Sequence, residues 1–193
     1  MEVFLIAFAT IAVAEMGDRT QLLSLVLSAQ YRKPWPIIAG IFVATLANHA
    51  IAGIIGVWFG HYLSPAILNV TVGVSMLAMA VWTLIPDKLH AGTQTGGRSV
   101  FFGTLVAFFV AEMGDKTQIA TAALAAGYSN LPAIVAGTTV GMLAANVPAV
   151  LLGNAFASRL PLKIIHRIAS ILFALLGVFF IAKAAMSWLG TAA

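Results

Sequence analysis

Long uncharged stretches separated by short polar breaks dominate the chain. From Pro34 to Pro86 there is no Asp, Glu, Lys or Arg, and from Thr117 to Ser158 there is none either. A helix needs ~20 mostly apolar residues to cross about 30 Å of hydrocarbon, so each stretch is too long for one span. The first is broken at His61-Tyr62-Leu63-Ser64-Pro65 and the second at Gly127-Tyr128-Ser129-Asn130-Leu131-Pro132, both rich in turn formers. The pattern predicts an all-α membrane protein of six spans, about 3–30, 35–60, 65–86, 99–126, 132–157 and 166–189. The polar segment from Asp87 to Arg98 joins the two triplets.

Composition narrows the class. Hydrophobic residues make up 61% of the 193, and charged residues only 8%. Soluble domains carry roughly 25% charged residues because a hydrated surface requires them. With a mean hydropathy of +1.02, lipid is the expected main solvent, which excludes a soluble enzyme, a secreted disulfide scaffold and a disordered tail. The net charge of +4 comes from Lys and Arg spread along the chain rather than gathered on one face, so no nucleic-acid partner is expected. There are no cysteines, hence no thiolate site. Glu2 and the lack of a basic leader argue against a cleavable signal peptide.

Arg32, Lys33, Lys88, Arg98, Arg159, Lys163 and Arg167 fall in the connections after spans one, three and five, whereas only Lys183 lies towards the other side. By the positive-inside rule both termini are expected outside the cytoplasm. The expected location is the inner (plasma) membrane, crossed several times. Trp35, Trp58, Trp82 and Trp188 near span ends fit an interfacial belt.

A shift of 97 lays Glu15-Met16-Gly17-Asp18-Arg19-Thr20-Gln21 on Glu112-Met113-Gly114-Asp115-Lys116-Thr117-Gln118. Over residues 15–40, twelve of 26 positions are identical without a gap, more than apolar bias produces. Each half holds three spans, and an odd number turns the second half upside down. The expected organisation is an inverted pair: residues 1–90, a cytoplasmic connection at 91–98, and residues 99–193. Inverted repeats with polar groups near the midplane are the build of many secondary transporters.

Four of the six acidic residues, Glu15, Asp18, Glu112 and Asp115, lie in the two motif copies. Glu15 and Glu112 sit about twelve residues into their spans, close to the midplane at ~1.5 Å per residue. A charge there costs at least ~2.5–3.5 kcal/mol, so the acids must be paired, protonated or neutralised by an ion. Glu and Asp at i, i+3 share a helix face, so each motif is expected to present two carboxylates together. Gly17 and Gly114 let another backbone approach, or let the helix loosen so that carbonyls turn into the site. The expected result is a cage of up to four carboxylates, with Thr20, Gln21, Thr117 and Gln118 adding neutral oxygens. Hard oxygen ligands without thiolate suit Ca²⁺, Mn²⁺ or Mg²⁺.

Arg19 and Lys116 are read as charge partners of the carboxylates, not as ligands. If they only paired within their own motifs, each half would still keep one excess negative charge. His49 lies opposite Asn146 under the shift; it suits a proton carrier, a Mn²⁺ ligand or a hydrogen bond between helices. Asn48 and Asn146 offer carbonyl oxygens or similar glue. Met16 and Met113 read as packing, and His61, His90 and His166 as solvated interfacial residues. Pro148 is expected to kink span five. No phosphate loop, H-E-x-x-H or G-x-S-x-G occurs, so neither an ATP-driven pump nor an intramembrane hydrolase is visible.

Two copies of E-x-G-D-[KR]-[ST], one opening each half of a small six-span protein, resemble the manganese and calcium exporter family of Ca²⁺/Mn²⁺:H⁺ antiporters. Gly137-Thr138-Thr139-Val140-Gly141-Met142-Leu143-Ala144-Ala145-Asn146-Val147-Pro148 is similar to the family's second-half signature. The resemblance covers essentially the whole chain. It implies cation–proton exchange, with Glu15, Asp18, Glu112 and Asp115 as the metal site and Mn²⁺ or Ca²⁺ as transported ion rather than resident cofactor. A passive divalent-cation channel and a non-transporting scaffold remain the alternatives. The glycine-rich spans permit a homodimer.

Overall fold

The computed structural model describes residues 1–84, 99–128, 130–152 and 162–191. Among these the chain forms eight α-helices: α1 (Glu2–Glu15), α2 (Arg19–Tyr31), α3 (Pro34–Tyr62), α4 (Pro65–Trp82), α5 (Val100–Glu112), α6 (Lys116–Gly127), α7 (Leu131–Leu152) and α8 (Leu162–Thr191). The connection Asp87–Arg98 with His90, and Arg159, lie outside the described residues, as do the side chains of His166 and Trp188.

Among the described residues four stretches are long and apolar enough to cross a membrane: Pro34–Tyr62, Pro65–Trp82, Leu131–Leu152 and, within α8, Arg167–Ser187. The expected first and fourth spans are each two helices. The 3–30 segment stops at Glu15 and restarts at Arg19, and the 99–126 segment stops at Glu112 and restarts at Lys116. Gly17 (φ 83°) and Gly114 (φ 73°) take left-handed backbone that a continuous α-helix cannot contain. The motif Glu and Asp therefore do not share a helix face at i, i+3. Each Glu ends one helix and each Asp is the residue just before the next. The loosening that the glycines allowed is what occurs.

Packing repeats under the 97-residue shift. Gly137 on α7 lies so close to α1 that a Cβ there would meet Phe4 O at 2.5 Å, and one at Gly141 would meet Phe8 O at 2.7 Å. On α3, a Cβ at Gly40, the counterpart of Gly137, would meet Phe101 O on α5 at 2.9 Å. Small residues let backbones approach where lipid supplies no hydrophobic drive between helices. α4 packs on α8, with Gly73 and Gly177 at the crossing.

Burial is inverted relative to a water-soluble domain. Glu15, Asp18, His49, Glu112, Asp115, Lys116 and Asn146 are all buried, while Phe42, Ile54, Trp58, Phe102, Ile171 and Leu175 are exposed. A polar interior under an apolar exterior is the arrangement hydrocarbon favours. Trp35 and Trp58 are exposed near the ends of α3, where an interfacial belt would place them. Pro148 lies inside α7.

Candidate functional site

The two helix breaks meet inside the protein. In each, the residue at the break is fixed by the same amide: Gly17 N–H donates to Gln21 Oε1 at 2.9 Å, and Gly114 N–H to Gln118 Oε1 at 2.7 Å. Both glutamine carbonyls, expected as neutral site oxygens, thus hold the turn. Their amide nitrogens reach the other half: Gln21 Nε2 donates to Ala145 O at 2.9 Å and Gln118 Nε2 to Asn48 Oδ1 at 3.3 Å. Ala145 and Asn48 are themselves related by the shift, so this contact repeats, to a backbone carbonyl in one case and a side-chain oxygen in the other.

Charge pairing also crosses between halves, not within each motif. Arg19 donates to Asp115 Oδ1 at 2.8 Å, and Lys116 pairs with Asp18. These two ion pairs are one interaction seen twice under the shift, but their surroundings differ: the Arg19 side chain is 30% exposed and that of Lys116 only 2%. The aspartates also stand at the N-terminal ends of α2 and α6, where the helix dipole favours negative charge.

The glutamates lack such partners. Neither Glu15 nor Glu112 has a cation within ion-pairing distance among the described residues, and both are fully buried. Glu15 Oε1 accepts from Asn146 Nδ2 at 3.3 Å, while Glu112 Oε2 accepts from Thr117 Oγ1 at 2.9 Å. Glu15 Oε2 and Glu112 Oε1 have no hydrogen-bond partner, nor does the hydroxyl of Thr20. Among the described residues no three His, Asp or Glu side chains come close enough to hold one ion, so the expected four-carboxylate cage is not assembled in this conformation. Lys116 and Arg19 each hold one of the two aspartates in an ion pair.

Asn48 Nδ2 donates to Phe109 O at 3.0 Å, which ties α3 to α5. His49 is buried with both ring nitrogens unpartnered. Ser24, which the sequence did not single out, donates to Asn146 Oδ1 at 2.7 Å and so orients the amide that contacts Glu15. Ser28 donates to Val150 O at 2.6 Å. The signal was there: Gln21, Ser24 and Ser28 recur at helical spacing in an otherwise apolar run, a polar stripe down α2. A separate cavity of about 450 Å³, lined by Asn69, Tyr128 and Lys183 among others, contains none of the motif acids.

Broken helices meeting at buried acids, inside a chain whose described outer surface is apolar, mark a membrane protein with a charged interior. The chain belongs to the GDT1 family: the model described as "Divalent cation/proton antiporter GDT1" matches residues 3–91 and 100–188, segments that start and end 97 residues apart. It is 52% identical over 179 residues to a Vibrio cholerae serotype O1 protein named "Putative manganese exporter", covering 92% of this chain and 90% of that one. A GDT1-like protein of Synechocystis sp. is 26% identical over 189 residues, with 87% and 91% covered. Protein PAM71 of Arabidopsis thaliana chloroplasts is 30% identical over 206 residues, covering 88% of this chain and 54% of its own length. No solved structure matches the chain.

Proposed function

We propose that this protein is a secondary transporter that exports divalent cations, Mn²⁺ first and Ca²⁺ second, in exchange for protons at a site formed by Glu15, Asp18, Glu112 and Asp115. The observation that carries the reading is the charge left over at the helix breaks. The aspartates are balanced by Lys116 and Arg19, whereas two buried glutamates are not. One divalent cation, or two protons, closes that balance. Because the same oxygens serve both, arrival of one ligand favours departure of the other, and opposite fluxes couple without ATP.

The chain's own groups set the sequence of events. An entering cation competes with Lys116 and Arg19 for Asp18 and Asp115, and it finds Glu15 Oε2 and Glu112 Oε1 without partners. Glu15 and Glu112 end α1 and α5, and half-helix C-termini favour a cation at a transporter midplane. Thr117 and Asn146 fix the glutamates, and Gln21 and Gln118 hold the breaks open. In this reading α1–α2 and α5–α6 each cross as one broken span, giving six spans in two inverted halves, residues 1–90 and 99–193. Rocking one half against the other exposes the site to each side in turn. The protein resides in the inner membrane with both termini outside the cytoplasm, and its glycine-rich faces admit a homodimer.

The relatives' names support manganese as cargo, and the all-oxygen motif supports calcium as well. Mn²⁺ uptake into proteoliposomes tests the reading. Glu15→Gln and Glu112→Gln should each lower it by at least the ~10–100-fold that outer-shell partners of metal sites cost, with protein that still elutes as a folded species. Wild-type activity in both variants contradicts the proposal.

A further inference from the structure

Among the places where the two halves differ chemically, one concerns the residue that meets a motif glutamate. Asn146 on α7 donates to Glu15, and the shift of 97 carries this pair onto His49 and Glu112. Three observations show that the correspondence holds here. Gln21 meets Ala145 just as Gln118 meets Asn48, the neighbour of His49. Asn48 donates to Phe109 O, one turn before Glu112 on α5. The close approach of α7 to α1 at Gly137 recurs between α3 and α5 at Gly40.

Asn146 Nδ2 reaches Glu15 Oε1 across the two halves, and Glu15 Oε2 is left without a partner. At the related pair Glu112 likewise keeps one orphan oxygen, Oε1, but here the counterpart of Asn146 under the shift, His49, has both ring nitrogens buried without a partner. His49 is fully buried, and hydrogen bonding between helices, which would explain a buried imidazole, is not what it does. Leaving buried polar atoms unpaired is costly, and a bound cation that takes a carboxylate oxygen and an imidazole nitrogen relieves the cost.

We infer that His49 stands to Glu112 as Asn146 stands to Glu15 and supplies a nitrogen ligand to the transported cation, which makes the site favour Mn²⁺ over Ca²⁺. Calcium takes oxygen ligands. A first-row divalent metal accepts neutral imidazole, the commonest protein metal ligand. The four motif acids alone do not separate the two ions; one imidazole on one side of the site does. The inference rests on the transporter reading above and adds the source of its ion preference.

Pulsed electron paramagnetic resonance on the full-length protein loaded with Mn²⁺ tests it directly. Wild type should show ¹⁴N modulation from a coordinated imidazole. His49→Asn, which copies the residue of the other half, should lose that modulation while still moving Ca²⁺ into proteoliposomes. Its Mn²⁺-to-Ca²⁺ flux ratio should fall about tenfold, the low end of what changes around a metal cost. Bound Mn²⁺ without nitrogen coupling in wild type overturns the inference and leaves the transporter reading standing, and needs no variant. So does coupling that survives in His49→Asn, an unchanged flux ratio, or loss of both fluxes in folded variant protein. Wild type that neither binds nor moves a divalent ion removes the transporter reading itself, and this inference with it.

Discussion

Lys116 and Arg19 occupy equivalent positions and do unequal work. Lys116 and its partner Asp18 are both shut away from solvent, whereas Arg19 reaches Asp115 from a partly exposed position. Removing one member of a buried pair leaves the other charge uncompensated, at a cost of about 3–5 kcal/mol. Lys116→Met should therefore lower thermal stability in detergent well beyond Arg19→Met, because water reaches the second pair and screens its loss. Equal losses in the two variants would mean that the difference in exposure has no energetic consequence. At this scale the sequence revealed the acids, their spacing and the two basic neighbours. It did not reveal who pairs with whom. Adjacency along the chain suggested pairing within each motif, and only the meeting of two breaks makes the pairs cross.

The same limit explains the helix breaks. Apolar periodicity treats 3–30 and 99–126 as uninterrupted, because Met16-Gly17 and Met113-Gly114 carry no charge and no proline. Gly at a motif centre is compatible with close packing as well as with positive φ, and the sequence leaves both open. The φ values decide it. An added Cβ at Gly114 meets nothing within 4 Å, so the cost of a side chain there is backbone strain alone, roughly 1–2 kcal/mol for an L-residue in left-handed backbone. Gly114→Ala should lower the apparent Tm by a few degrees, and Gly114→Asn by less, since Asn visits that region more readily. If Ala and Asn are equally harmless, the break at Gly114 is not what constrains this position. By contrast α3 was legible almost to both ends, and so were the starts of α4 and α7. Pro34 and Pro65 open helices at positions that suit proline, and Ser64 caps α4 by accepting from Ile67 N–H.

For the whole molecule, the 97-residue correspondence is the organising fact. It runs through the motif, the glutamine clamps, the crossed ion pairs and the glycine contacts, and it fails at His49 and Asn146. The proposed orientation follows from where Lys and Arg fall, and a reporter fused after Ala193 should be active only outside the cytoplasm. Activity confined to the cytoplasm would reverse the orientation. If one divalent cation exchanges for two protons, net charge movement is zero. Export then draws on the pH difference alone and not on membrane voltage.

The measurement that bears most directly on the transporter reading is Mn²⁺ movement into proteoliposomes under an imposed pH gradient with voltage clamped. Accumulation above the outside concentration that collapses when the gradient is dissipated is the predicted result. Mn²⁺ that only equilibrates, indifferent to the gradient, would make the protein a channel. No movement through well-folded protein would make the buried acids helix glue.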